Sequence, residues 1–162
     1  MKKCIGRLLA VVMAVGLLGG CGTSSSKKDV STASIVESIQ DQIEMRYTER
    51  VDEVVTKEMY YLPDDYVEES TIERGVINTG IELLAVVKAK KGKVEDVKLA
   101  LEKVKDDIAE SAFYPGEEEA VNKAEVTVVD DYVGLFIIPD EEEEEGENLS
   151  EKAAEIFEKA LR

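Results

Sequence analysis

Residues Ile81 to Ala89, read as Ile-Glu-Leu-Leu-Ala-Val-Val-Lys-Ala, are dominated by Leu and Val and lie between two turn signals, Thr79-Gly80 and Lys90-Lys91-Gly92-Lys93. So short and so apolar a run reads as a central, well-buried strand, which commits the chain to building a sheet around it. Ser70 to Asn78, just ahead, leans toward strand through Ile72, Val76 and Ile77. Farther on, Val126 to Val129 and Tyr132 to Ile138 are separated only by Asp130-Asp131, which predicts a β-hairpin.

Helical spacing fills the intervals. Val94, Val97, Leu101, Val104 and Ile108 recur at alternating steps of three and four, marking an amphipathic helix to about Ala112, with Pro115-Gly116 beyond its end. Ser34-Ile35-Val36-Glu37 has the capping-box pattern, and Ile35, Ile39 and Ile43 predict a first helix over about 34–47. Val51, Val54, Val55 and Met59 continue helical spacing up to Tyr60-Tyr61-Leu62, where Pro63 and Asp64-Asp65 end it. Asn148 caps a last helix whose apolar side is Ala153, Ile156, Phe157, Ala160 and Leu161. Strands that arrive in pairs predict an α+β domain over 34–162. The expected form is an antiparallel sheet of about four strands packed with helices, in the order α-β-β-α-β-β-α.

The first residues do not belong to that domain. Lys2, Lys3 and Arg7 form a basic lead, followed by an apolar run from Leu8 to Leu18 that ends in Gly19-Gly20-Cys21. As a helix the run spans roughly 16 Å, about half a bilayer core, so it is too short for a permanent span and has the proportions of a secretory signal. The tetrapeptide Leu18-Gly19-Gly20-Cys21 resembles the lipobox of bacterial lipoproteins. That resemblance implies that residues 1–20 are cleaved, that the Cys21 thiol is lipidated, with palmitate or a similar acyl chain, and that the protein sits on the extracytoplasmic face of the cell membrane. Residues 21–33, with Gly22-Thr23-Ser24-Ser25-Ser26, have the composition of a flexible tether.

The order of elements and several local patterns resemble an uncharacterised domain-of-unknown-function family found in lipoproteins of Gram-positive bacteria. The resemblance runs from about Val51 to Leu161 and rests on Glu82 to Ala89, the Val94 to Ile108 helix and the Ala153 to Leu161 helix. It implies a location and a fold type, and carries no activity or functional residue.

Composition narrows the chemistry. Loss of Lys2, Lys3 and Arg7 takes the formal charge from −16 to −19, which opposes binding to nucleic acid. The chain has no His, and its two thiols are Cys4, inside the signal, and Cys21. Imidazole- or thiolate-based catalysis and zinc binding are thereby excluded for the mature form. Its glycines stand apart, without a phosphate-cradling loop. Glu141, Glu143, Glu145 and Gly146 fall at positions 1, 3, 5 and 6 of a calcium loop, but position 12 is Lys152, so the acidic run 140–147 reads as a solvated loop. Lys88, Lys90, Lys91 and Lys93 form the domain's basic cluster, read as a solvated strand end and turn rather than a headgroup site. Tyr60, Tyr61 and Tyr66 read as core and rim packing.

No catalytic, cofactor or metal residue is assigned, and the one site expected is lipidation at Cys21. The expected role is that of a binding or interaction module, not an enzyme, anchored by lipid and engaging an envelope protein or polymer. A small solute-binding lipoprotein is the alternative, and an envelope enzyme of unfamiliar type stands behind it.

Overall fold

The computed structural model describes residues 29–45, 47–76, 81–139 and 148–162. Its elements are α1 (Thr32–Gln40), β1 (Thr48–Arg50), α2 (Glu53–Met59), β2 (Val67–Gly75), β3 (Leu83–Ala89), α3 (Val94–Ser111), α4 (Pro115–Lys123), β4 (Val126–Val129), β5 (Tyr132–Ile137) and α5 (Leu149–Leu161). The α+β class is as expected. The strands form a single five-stranded sheet in the order β1-β2-β3-β5-β4, antiparallel at every junction.

β3 and β5 lie at the centre, paired from Leu83↔Ile137 to Lys88↔Tyr132. Because side chains alternate across a strand, this register splits the apolar run into two faces. Leu83, Ala85, Val87, Val133, Leu135 and Ile137 pack in one core with Val97, Leu101 and Val104 of α3 and Ala120 and Val121 of α4. Leu84, Val86 and Phe136 pack in another with Ile35, Val36 and Ile39 of α1 and Ala153, Phe157 and Leu161 of α5. Helices therefore cover both faces, which is why Leu83 to Val87 shows no polar alternation.

Three details of the expected order are corrected. Helix α1 starts at Thr32, not Ser34, and ends at Gln40, because the Ser31 hydroxyl accepts from the Ser34 N–H (3.2 Å) and takes the cap three residues earlier. The helical stretch expected from Ser34 to Leu62 is broken by β1, whose Thr-Glu-Arg sequence has no apolar residue. It is a strand through its partner β2, with Arg50 donating to Glu73 (3.1 Å) and Arg74 to Glu49 (2.7 Å). That makes five strands rather than four. Helix α4 is absent from the expected order, which has only Pro115-Gly116 beyond the end of the preceding helix; Pro115 in fact occupies its first turn, where a missing N–H and a fixed φ start a helix as readily as they stop one. The Glu117 carboxylate reaches back to accept from the N–H groups of Phe113 (3.1 Å) and Tyr114 (3.3 Å).

Candidate functional site

The two edges of the sheet are built differently. β1 is three residues long, and its Glu49 and Arg50 are ion-paired to Arg74 and Glu73 of β2. Charge and shortness of this kind discourage another strand from adding to an edge. β4 is Val-Thr-Val-Val, with no charge, proline or bulge along its length, and its other side pairs with β5 from Val126↔Leu135 to Val129↔Tyr132.

The direction of the backbone groups of β4 follows from its hairpin. Asp130, at φ 54, begins a two-residue turn that closes on Val129↔Tyr132, a pair that exchanges both hydrogen bonds. On β5 the alternation is fixed independently, since Ala89 donates to the Asp131 carbonyl (2.7 Å), turning odd-numbered residues toward β3 and even-numbered ones toward β4. Thr127 and Val129 thus bond to β5, while the N–H and C=O groups of Val126 and Val128 point outward. Among the described residues no group bonds to them, and Val128 is 40% exposed.

A shallow cleft flanks β4 on each face. One, of about 440 Å³, is lined by Glu102, Lys105 and Asp106 of α3 with Glu125 and Val126. The other, of about 220 Å³, is lined by Lys123, Glu125, Thr127, Asn148, Ser150, Glu151 and Ala154. Both lysines are engaged: Lys105 donates to the Ala124 carbonyl, and Lys123 pairs with Glu119 (3.0 Å). Carboxylates outnumber ammonium groups in each lining, three to one and two to one, so both clefts are acidic.

The start of the described chain is fastened at the hairpin end of the sheet, against Lys88 of β3 and Tyr132 of β5. A bulge between Val67 and Glu69 brings two successive carboxylates to the same side of β2. Glu68 accepts from the Lys88 ammonium (2.6 Å), and Glu69 accepts from the N–H and hydroxyl of Thr32 (both 3.0 Å). Lys88 also binds Asp29 (3.0 Å), and its side chain is 12% exposed. These partners, Glu68 foremost, push the Lys88 ammonium well above the usual lysine range, and Lys88 in turn holds the Asp29 carboxyl below its ordinary value. The Tyr132 hydroxyl donates to the Val30 carbonyl (2.8 Å) and accepts from the Val30 N–H (3.1 Å).

Residues 41–138 match a protein family described as a domain of unknown function, DUF4358. The chain belongs to the DUF4358 family. No curated protein and no solved structure matches it. The DUF4358 match contains all five strands and the helices α2, α3 and α4, and it leaves outside it α1 and α5, the two helices that cover the Phe136 face.

Within this DUF4358 chain the residues singled out by sequence fall in different places. Cys21 and the acidic run 140–147 lie outside the described residues. Of the basic cluster, Lys88 is fastened as above, Lys90 donates to the Asp64 carbonyl (2.6 Å), and Lys93 pairs with Asp96 (3.0 Å) over the ring of Tyr66 (4.5 Å). These lysines therefore serve the domain's own packing. Tyr60 is buried in the α3-side core, and Tyr61 and Tyr66 pack against it. Tyr61 takes φ 56 and donates to Asp107 (2.6 Å), with the Lys103 ammonium 3.5 Å from its ring centre.

Two surface features escaped the sequence reading. Phe113 and Tyr114, 81% and 60% exposed, are held outward by the turn into α4; their only local signal was Pro115 beside an acidic first turn. The open edge of β4 had no local signal at all, because it depends on β5, and not β4, being the neighbour of β3.

Proposed function

We propose that this DUF4358 chain is an extracytoplasmic lipoprotein, held to the cell membrane by lipid on Cys21, and that it works as an interaction module rather than an enzyme. The observation that carries this reading is the closeness of two things: the lipidation signal ends at Cys21, and the body is fastened from Asp29 onward by the pair with Lys88. The seven residues between, eight steps from Cys21 to Asp29, give a reach of at most about 28 Å, so the domain works close to the membrane. Among the described residues no helix is long and apolar enough to cross a membrane, which suits a lipid anchor.

The chemistry favours binding over turnover. The chain has no His, and Cys21 is the thiol that remains once the signal is removed. Lys57, Lys88, Lys93 and Lys103 are all raised in pKa by carboxylate or phenol partners, away from the nucleophilic form. The clefts beside β4 are open and polar, a form suited to contact with a partner chain more than to enclosing a small solute.

Growth with a labelled fatty acid tests the anchor: the wild-type chain takes up label and partitions with membranes, whereas Cys21→Ala does neither. Label on the alanine variant removes Cys21 as the site. Crosslinking on intact cells tests the role and is expected to capture a defined envelope protein or polymer in proportion to the anchored protein.

A further inference from the structure

We infer that the outer edge of β4 takes up an extended, cationic segment of a partner polypeptide as a sixth strand of the sheet; this rests on the interaction-module reading and names the partner's chemistry. Val126 and Val128 present two N–H donors and two C=O acceptors outward, in the alternation that an added strand satisfies. Side chains of such a strand point alternately to the two faces. One set reaches the cleft of Glu102, Asp106 and Glu125, and the other the cleft of Glu125 and Glu151. Carboxylates outnumber ammonium groups in both linings, and Lys123 is further offset by Glu119, so the field over both clefts is negative and selects Lys or Arg at successive positions.

A second copy of this chain fits less well. Pairing β4 with itself would bring the acidic clefts of Glu102, Asp106, Glu125 and Glu151 of one copy against those of the other, and fields of like sign repel. The β1 edge offers no equivalent, since its Glu49 and Arg50 are committed to β2.

The test uses the full chain in mild detergent and two synthetic hexapeptides of sequence Val-Lys-Lys-Lys-Lys-Val, whose lysines fall on both faces of a strand. One is unmodified. The other is N-methylated on the backbone, which keeps charge and side chains but removes the donors. The unmodified peptide is expected to shift the amide resonances of Val126 and Val128 first, and to bind at least tenfold more tightly than its methylated counterpart. Val128→Pro removes an outward N–H while leaving the bonds to β5, so it should keep the native spectrum and lose the same tenfold. Equal binding of the two peptides overturns the proposal in favour of plain charge attraction. Absence of binding, shifts confined to other surfaces, or a dimer formed through β4 without peptide overturns it as well. None of these results alters fatty-acid labelling at Cys21 or crosslinking on cells, so this proposal and the broader one fail separately.

Discussion

The ring of Phe136 occupies the space that a side chain on Gly134 would need. A Cβ on Gly134 would lie 2.6 Å from Phe136 Cζ and 3.4 Å from the ring of Phe157. The two rings meet at 5.6 Å between centres with a 57° tilt, and both are fully buried between the sheet and α5.

Gly134→Ala should therefore destabilise the domain by about 1–3 kcal/mol, the usual cost of overpacking a tight core. Neither ring is free to swing into solvent, so the strain has to be absorbed by moving α5 or the central strands. Thermal or denaturant unfolding checks this. A midpoint equal to that of the wild type would mean that α5 shifts away without cost.

The fastening of Asp29 to Lys88 predicts a dependence on pH. Asp29 is lowered from 3.8, so its contribution is present above pH 3.8 and is lost as pH falls through its lowered value. Lys88 is raised from 10.5, so its contribution is complete below pH 10.5 and is lost only as pH rises through a value higher still. The pair thus holds from about pH 4 to about pH 10 and releases in acid. Hydrogen exchange at the Val30 amide reads the release directly. Lys88→Met should speed that exchange at neutral pH and leave the amides of α3 unchanged. A Val30 amide that stays protected in the variant would show that Tyr132 holds the segment unaided.

Leu101 is fully buried at the middle of α3, in contact with the β3–β5 centre of the sheet. Leu101→Ala should cost about 2–5 kcal/mol, combining lost burial with the cavity left behind. Leu99, two residues earlier, is exposed, and Leu99→Ala should stay within about 0.5 kcal/mol of the wild type. Comparing the two by denaturant titration separates packing from any general loss of helix propensity.

Calcium should bind the chain weakly and without fixed stoichiometry. The loop register that begins at Glu141 reaches its twelfth position at Lys152, which is an ammonium and stands within helix α5. Any gain in thermal stability should fade as monovalent salt is raised. Titration calorimetry revealing one saturable micromolar site, lost when Glu141, Glu143 and Glu145 become Gln, would reverse this expectation.

How much could be read beforehand depended on whether a feature is local. β3, α3, the β4–β5 hairpin and α5 each carry their own periodicity or turn chemistry, and each is found where its residues predict. β1 is Thr-Glu-Arg and becomes a strand only through a partner more than twenty residues away, so nothing near it announces the pairing. α4 was lost because proline carries opposite meanings at the start and beyond the end of a helix. The Ser34–Glu37 spacing was a real pattern that lost its role to Ser31. The candidate site suffered most. An open edge is a property of strand order, and strand order is settled by which of two neighbouring strands, β4 or β5, meets β3. Lys88 shows the same limit: its cluster was visible, whereas the bulge that turns Glu68 toward it was not.

Helices α1 and α5 cover the same face of the sheet from opposite ends of the chain, and they touch one another there. A nascent chain that has not yet added α5 has Leu84, Val86 and Phe136 covered by α1 alone and lacks the Phe157 ring beside Gly134. Half of the interior therefore waits for Leu149–Leu161, however early the strands pair. The sheet can pair first, and its second face closes only when α5 docks beside α1.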